Sequence, residues 1–319
     1  MKAIRVLEYG STPVLAEIPT PAIADDEVLV RVGSTAVNHL DLVEASGSAK
    51  EVFPIDLPWT PGHEFSGVVE RVGKEVVGFA VGDPVFGNSG SGAYAEFVSV
   101  KPATFTRKPS ILSFEEAASV PVAAQTAWQA LFTHGHLTRG QTVLIHGGAG
   151  GVGAYAVQLA SNAGATVIVT ANADDEAFLK SIGASRVIDY KTAKFEEELP
   201  DKVNVVFDLI GGDTQMRSYD VLLEGGYLIA ANQPVSPAEL AKHRVSGLMM
   251  NMIPSADVLG RISRLLEEKA IRPDVAKVYA LGDVAQAWAD MAGVSSGRAP
   301  GRERPVAPRP HGKLVLKVA

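Results

Sequence analysis

Thr142-Val143-Leu144-Ile145-His146 runs directly into Gly147-Gly148-Ala149-Gly150-Gly151-Val152-Gly153, and no other junction constrains the fold of this chain as strongly. An apolar run of strand length meets a turn almost without side chains, and apolar residues then recur at helical spacing over 151–163. Gly148, Gly150 and Gly153 satisfy G-x-G-x-x-G. Glycines so spaced permit a tight turn, let the backbone approach a pyrophosphate, and let the following helix pack on the strand. The helix N-terminus then presents free N–H groups to the phosphates. Taken alone, the pattern describes any tight strand-to-helix turn, so its context matters. Strands are expected at 166–170, 186–189, 203–210, 227–231 and 248–253, with helices at 176–182 and 215–223 between them. Alternation of this kind requires crossovers, hence a doubly wound parallel sheet with helices on both faces, and the glycine turn in that setting leads us to expect a bound dinucleotide.

The choice of dinucleotide turns on the second strand. A site for NAD commonly places an acid about 20 residues past the turn, on the adenosine ribose. Here that strand ends in Thr170-Ala171-Asn172-Ala173-Asp174-Asp175-Glu176, with no acid at its tip, which leaves room for a 2′-phosphate. The three acids suit the first turn of a helix, with Asn172 or Asp174 as its cap. Arg186, Tyr190 and Lys191, past the next strand, are placed to supply phosphate contacts. NADP is therefore expected, with NADPH preferred over NADH.

The first hundred residues have a different rhythm. Runs such as 27–32 and 67–72 alternate apolar and polar residues between Gly, Pro and Asp turns, which points to a compact, partly open antiparallel β-barrel. From 114 to 132 the spacing becomes helical, interrupted by Pro121. A helix over 257–269 leads back towards the first domain. Four Pro and four Arg then crowd 295–311 before a last strand over 313–318. The chain has 319 residues and a net charge of −7, which speaks against a nucleic-acid partner. It has no cysteine, which removes disulfides, thiolate catalysis and sulfur-ligated zinc. No signal segment and no apolar run of about 18 residues is visible, so a soluble, cytoplasmic protein without a membrane partner is expected.

These segments, in this order, resemble the medium-chain dehydrogenase/reductase superfamily, specifically its zinc-free quinone oxidoreductase (zeta-crystallin-like) branch. The resemblance covers essentially the whole chain. It rests on Ala36-Val37-Asn38-His39-Leu40-Asp41, Pro61-Gly62-His63-Glu64-Phe65-Ser66-Gly67, 78–87, 117–128, the glycine turn, 179–190, Asp208-Leu209-Ile210-Gly211-Gly212 and Gly312-Lys313-Leu314-Val315-Leu316-Lys317. It implies a GroES-like catalytic domain from both chain ends (1–119 and 256–319) around a Rossmann domain (120–255), with the active site in the cleft between them. It also implies a homodimer paired through the last Rossmann strand, near 247–252.

By the same resemblance, the catalytic zinc ligands of the metal-dependent relatives would fall on Asn38, His63 and Val122, with Glu64 beside them. Asn38 is a poor zinc ligand and Val122 offers none, so no metal is expected. His63 reads as a remnant of such a site or as a packed histidine. Without a Lewis acid, oxidation of a simple alcohol is hard, whereas a quinone or an α,β-unsaturated carbonyl can accept hydride and spread the charge. Asn38 and Thr126 are the family-matched positions for hydrogen-bonding the developing oxyanion. Each has a plainer reading, Asn38 as a turn residue and Thr126 as a hydroxyl bonded to its own helix. Asp41 is expected to support the Asn38 loop. Gly148, Gly150, Gly151, Val152 and Gly153 should meet the pyrophosphate, with Asn172 and Tyr190 towards the adenosine side. Ile210 and Gly211 should face the nicotinamide ribose, with Asn232 beyond. Two other functions compete. One is an enoyl-thioester reductase, which needs a cationic patch such as Arg298, Arg302, Arg304 and Arg309. The other is a non-catalytic NADPH-binding sensor or structural protein.

Overall fold

The computed structural model describes residues 1–199, 201–295 and 311–319. Within them the chain forms two units: Met1–Val122, Pro254–Glu267 and Pro273–Ala319 make one, Ala123–Ile253 and Glu268–Arg272 the other. The arginines at 298, 302, 304 and 309 lie outside the described residues.

The first unit begins with a two-stranded ribbon of β1 (Lys2–Arg5) and β2 (Val14–Glu17). Its main sheet is built on β3 (Val28–Ala36), β4 (Glu64–Val72), β5 (Pro84–Asn88), β6 (Phe97–Val100) and β7 (Phe105–Arg107). From the C-terminal part come β14 (Val275–Ala280) and β15 (Lys313–Lys317), giving the order β14-β15-β3-β4-β5-β7, with β6 also on β3. Every pair is antiparallel except β14 with β15. Alternation along β3 to β7 turns Val28, Val30, Val32, Phe65, Val85 and Phe105 into one core. Helices α1 (His39–Ser46), α2 (Phe114–Ala118), α9 (Ala256–Glu267) and α10 (Val284–Ser295) complete the unit. A second core joins Ile4, Val37, Trp59 and Tyr94 to Trp288, Leu314 and Leu316, so the C-terminal segment closes the N-terminal one.

The second unit is a six-stranded parallel sheet of β8 (Thr142–His146), β9 (Thr166–Ala171), β10 (Arg186–Asp189), β11 (Val203–Asp208), β12 (Leu222–Ala230) and β13 (Ser246–Met249). Its order, β10-β9-β8-β11-β12-β13, reverses direction between β8 and β11. Ligands bind outside the carboxyl ends of strands at such a switch point. The remaining helices are α3 (Pro121–Trp128), α4 (Gly151–Asn162), α5 (Glu176–Ser181), α6 (Phe195–Glu198), α7 (Asp213–Ser218) and α8 (Pro237–His243). Pro121 opens α3, which passes into a wider π-helical turn over Gln129–His134.

Several expected elements have other bounds than the observed ones. The strand expected to 210 stops at Asp208, because the Asp208 carboxylate turns back to accept N–H bonds from Ile210 (2.8 Å) and Gly211 (3.0 Å). The helix expected over 215–223 is α7 followed by a short 3-10 turn, Tyr219–Val221, which leads into a strand longer than expected. The strand expected at 248–253 is β13, which begins two residues earlier and ends four earlier. Among the described residues no helix is long and apolar enough to cross a membrane.

Candidate active site

The glycine turn joins the end of β8 to α4, and each glycine in it answers to a different demand. A Cβ on Gly148 would lie 2.1 Å from Val169 Cγ1, and one on Gly153 would lie 2.3 Å from the Gly147 carbonyl oxygen. Both are therefore packing requirements of the turn itself. Gly150 is unlike them: its nearest neighbour would be the Gly147 oxygen at 3.5 Å, an ordinary contact. Packing within the turn gives no steric reason for glycine there, and its face is open to an approach from outside. Gly150 is the N-cap of α4 and no side chain caps the helix. The N–H groups of Gly151, Val152 and Gly153 have no carbonyl a turn earlier to bond.

Around the turn, the loop after β11 comes close: a Cβ on Gly147 would lie 3.2 Å from Ile210 Cδ1. The Ile210 and Gly211 N–H groups are both spent on Asp208, which leaves these residues their carbonyls and side chain to offer a ligand. Asn232 donates its amide to the Leu209 carbonyl, and Gln233 accepts from Gly212 N at 2.9 Å, so this loop is held from two sides. At the end of β9, Asn172 Oδ1 is buried with no hydrogen-bond partner among the described residues. Tyr190, past β10, is 54% exposed. Arg186 is taken up by Glu198, while Lys191 is exposed and its ammonium has no partner among the described residues. An open cradle at Gly150, an uncapped helix start and an orphaned acceptor at Asn172 fit a dinucleotide.

Beneath the turn sits a polar group that sequence reasoning passed over. His146 is fully buried at the end of β8, with Nδ1 2.9 Å from Thr170 Oγ1 and Nε2 3.0 Å from Ser218 Oγ. Ser218 Oγ donates to the Thr214 carbonyl, so it accepts from His146 Nε2–H, and Thr170 donates to Nδ1. Burial, and then the nearby Arg217 charge, push His146 down to about 3. It stays neutral and ties β8, β9 and α7 together.

In the first unit, Asn38, Glu64 and Lys313 converge. Antiparallel pairing explains why: β3 runs between β4 and β15, so its C-terminal end lies beside the first residues of both. Those first residues are Glu64 and Lys313, and Asn38 stands two residues past the end of β3. Glu64 Oε1 lies 2.8 Å from the Lys313 ammonium and accepts from Asn38 Nδ2 at 2.9 Å. Glu64 Oε2 accepts the Val122 N–H at 2.7 Å. Lys313 Nζ also donates to Asn38 Oδ1. All three side chains are buried.

Asp41, one turn into α1, accepts from Asn38 N (2.7 Å), Gly62 N (3.1 Å) and Tyr94 OH (2.9 Å). Burial raises the Asp41 carboxyl, the neighbouring His63 charge working against it, and burial likewise holds the Tyr94 phenol well above its usual range. His63 pairs with Glu44 at 2.7 Å. Burial opposes its charge, but the Glu44 hydrogen bond and the Asp41 charge outweigh burial and raise His63 to about 9. Thr126 lies on α3 in the second unit, half-buried.

These residues do not fit a catalytic zinc. Asn38 is engaged at both ends, Val122 offers a backbone N–H, and the Lys313 ammonium already occupies the neighbourhood with positive charge. Ligand-type atoms of Asp41, Glu44 and His63 do lie within 4.8 Å of one another. Both Asp41 oxygens are taken by three donors, however, and His63 is engaged by Glu44, so the three groups do not stand open to a metal that commonly takes three protein ligands.

A sheet of this order with this turn has the form of a dinucleotide-binding unit, and the chain's other unit is closed by both chain ends. Residues 24–110 match the alcohol dehydrogenase GroES-like domain family, and 182–302 the family described as zinc-binding dehydrogenase. The chain is 33% identical over 289 residues to the chloroplastic NADPH-dependent alkenal/one oxidoreductase of Arabidopsis thaliana, covering 86% of this chain and 72% of that one. The solved quinone oxidoreductase of Coxiella burnetii superposes with a TM-score of 0.87 at 33% identity, over 100% of this chain and 99% of the other. Escherichia coli quinone oxidoreductase complexed with NADPH gives 0.87 at 25% identity, over 99% and 100%. The chain belongs to the medium-chain dehydrogenase/reductase superfamily, in its quinone oxidoreductase-like branch. It is by class an NAD(P)H oxidoreductase.

Proposed function

We propose that this protein is a zinc-independent, NADPH-dependent reductase of quinones or α,β-unsaturated carbonyls. One observation carries the reading most of the way: the cation beside Asn38 and Glu64 is Lys313, in a donor set unsuited to a metal. Such a set serves an electrophilic acceptor better than an alcohol, whose hydroxyl would need a Lewis acid.

When bound, NADPH supplies the hydride. The N–H groups of Gly151, Val152 and Gly153 hold its pyrophosphate, Gly150 leaving room for the approach and Gly148 letting the turn pack on β9. Asn172 and Tyr190 hold the adenosine side, and the exposed Lys191 favours a 2′-phosphate. Ile210 and Gly211 flank the nicotinamide ribose, with Asn232 bracing their loop. Asn38 Nδ2 and the Thr126 hydroxyl hydrogen-bond the substrate oxygen as negative charge builds on it. Asp41 holds the Asn38 backbone. Tyr94 keeps its proton on Asp41, so solvent protonates the product. The open edge of β13, with Met249 43% and Ile253 70% exposed, supports a homodimer through that strand.

The test is oxidation of NADPH and of NADH against a panel of quinones, enals and enones, with metal analysis of the same preparation. Turnover of NADPH with at least one acceptor and no stoichiometric zinc is expected. Cofactor binding without turnover across the panel would instead favour a sensor or structural protein, and tightly bound zinc would overturn the metal-free chemistry.

A further inference from the structure

We propose that Lys313 is a positioning residue for this reduction: its ammonium, held by Glu64, dictates which edge of the Asn38 carboxamide can meet the substrate oxygen. The inference rests on the reductase reading above.

Each acceptor oxygen of the Asn38 and Glu64 side chains meets a donor. Glu64 accepts from Lys313, Asn38 and the Val122 N–H, and Lys313 donates to Glu64 and Asn38. Reversing the Asn38 amide would turn its N–H groups towards an ammonium and its oxygen towards a carboxylate. Both contacts would be repulsive, so one orientation is enforced without reference to hydrogen positions. In that orientation the amide oxygen is spent on Lys313 and one N–H on Glu64. The other N–H rests on the Ala36 carbonyl at 3.4 Å, the longest bond in the group. That N–H is the donor the cluster can release. A positive charge on the amide oxygen also polarises the group and strengthens the same donor, as in other buried hydrogen-bond chains.

Stability is a weak reason to bury this pair. A buried ion pair is often no better than apolar residues of the same volume, and what it supplies is a defined arrangement. Asn38 is 8% exposed and Lys313 6%, so water screens the arrangement little.

Lys313→Met alone leaves Glu64 buried and uncompensated, and this variant is expected to fold poorly. The informative variant is therefore Lys313→Met with Glu64→Gln, which removes both charges and keeps both shapes. It should bind NADPH as the wild type does and melt near the wild-type temperature. Its kcat with quinone or enal should fall roughly 100-fold with little change in acceptor KM, as for loss of orientation in a reacting group. A second readout needs no turnover. With asparagine side chains labelled with 15N, and the Asn38 signal identified by its loss in Asn38→Ala, one wild-type Asn38 amide proton should exchange slowly. In the double variant that protection should disappear. A folded double variant with wild-type kcat overturns the proposal, and so does an Asn38 amide that exchanges in the wild type as fast as an exposed one. A wild-type protein that turns over no acceptor defeats the reductase reading and the positioning role with it. Slow Asn38 exchange in that case would still show the lock, which separates the two failures.

Discussion

The glycine turn and the Asn38 cluster are both polar, and they treat their hydrogen bonds in opposite ways. In the turn, Gly150 leaves an open face and the start of α4 has no side-chain cap, so donors stand ready for a ligand. In the cluster, Asn38, Glu64 and Lys313 spend almost everything on one another. A region built to bind an anion keeps donors unspent. A region built to hold one side chain in place spends them, because an unpaired buried group would cost about 1–3 kcal/mol.

Their histidines divide in the same way. His146, under the turn, is kept neutral, whereas His63, near the cluster, is kept charged.

The largest effect that would break this division is at Gly150. Gly150→Asp should weaken NADPH binding by more than about 100-fold, measured by calorimetry, because a carboxylate would face the pyrophosphate and cap the helix donors. Its melting temperature should hardly move, since a Cβ there meets nothing closer than 3.5 Å. Gly153→Ala should do the reverse and cost about 1–3 kcal/mol of stability through overpacking. Equal melting temperatures for the two would erase the distinction between a ligand glycine and a packing glycine.

Next comes the pH dependence of stability. His63 has a folded pKa raised from 6.5 to about 9, so its contribution is full below 6.5 and is lost as pH rises towards 9. His146 is lowered from 6.5 to about 3, so its neutral form stabilises above 6.5 and that stability is lost as pH falls. Urea unfolding across a pH series should therefore show slopes of opposite sign, each approaching about 1.4 kcal/mol per pH unit. His63→Gln should flatten the alkaline side, and His146→Gln should flatten the acid side while leaving the alkaline slope unchanged. A His146→Gln variant that flattens both would mean the two sites are not independent.

The smallest effect is expected at the adenosine end. Lys191→Glu should raise the KM for NADPH by about 5–10-fold, as for reversal of one exposed charge, and leave the KM for NADH nearly unchanged. Equal effects on both cofactors would remove Lys191 from 2′-phosphate recognition.

Much of the second unit was legible because its signals are local. The run into Gly147, the glycine spacing and the alternation after it all lie within short windows, and β8, β9, β10 and α4 stand where the pattern puts them. Strand ends were less legible. The strand after residue 203 stops at Asp208 because a carboxylate folds back on the next two N–H groups, and an apolar Ile210 hides that. His146 carries no local sign of its role, since its partners Thr170 and Ser218 are 24 and 72 residues away. Lys313 read as the first residue of a closing strand. The available signal was a lysine opening an apolar run, and its partner Asn38 is 275 residues distant.

The sequence by itself determined the class of fold, the cradle at the glycine turn and the want of sulfur ligands, because these follow from periodicity, spacing and composition. Only the tertiary structure decided which charge stands beside Asn38, which histidine is charged, and which N–H groups after β11 are already spent. Hydrogen bonds and ion pairs inside a core depend on which strand ends the sheet register brings together, and register joins residues that have no local correlation along the chain.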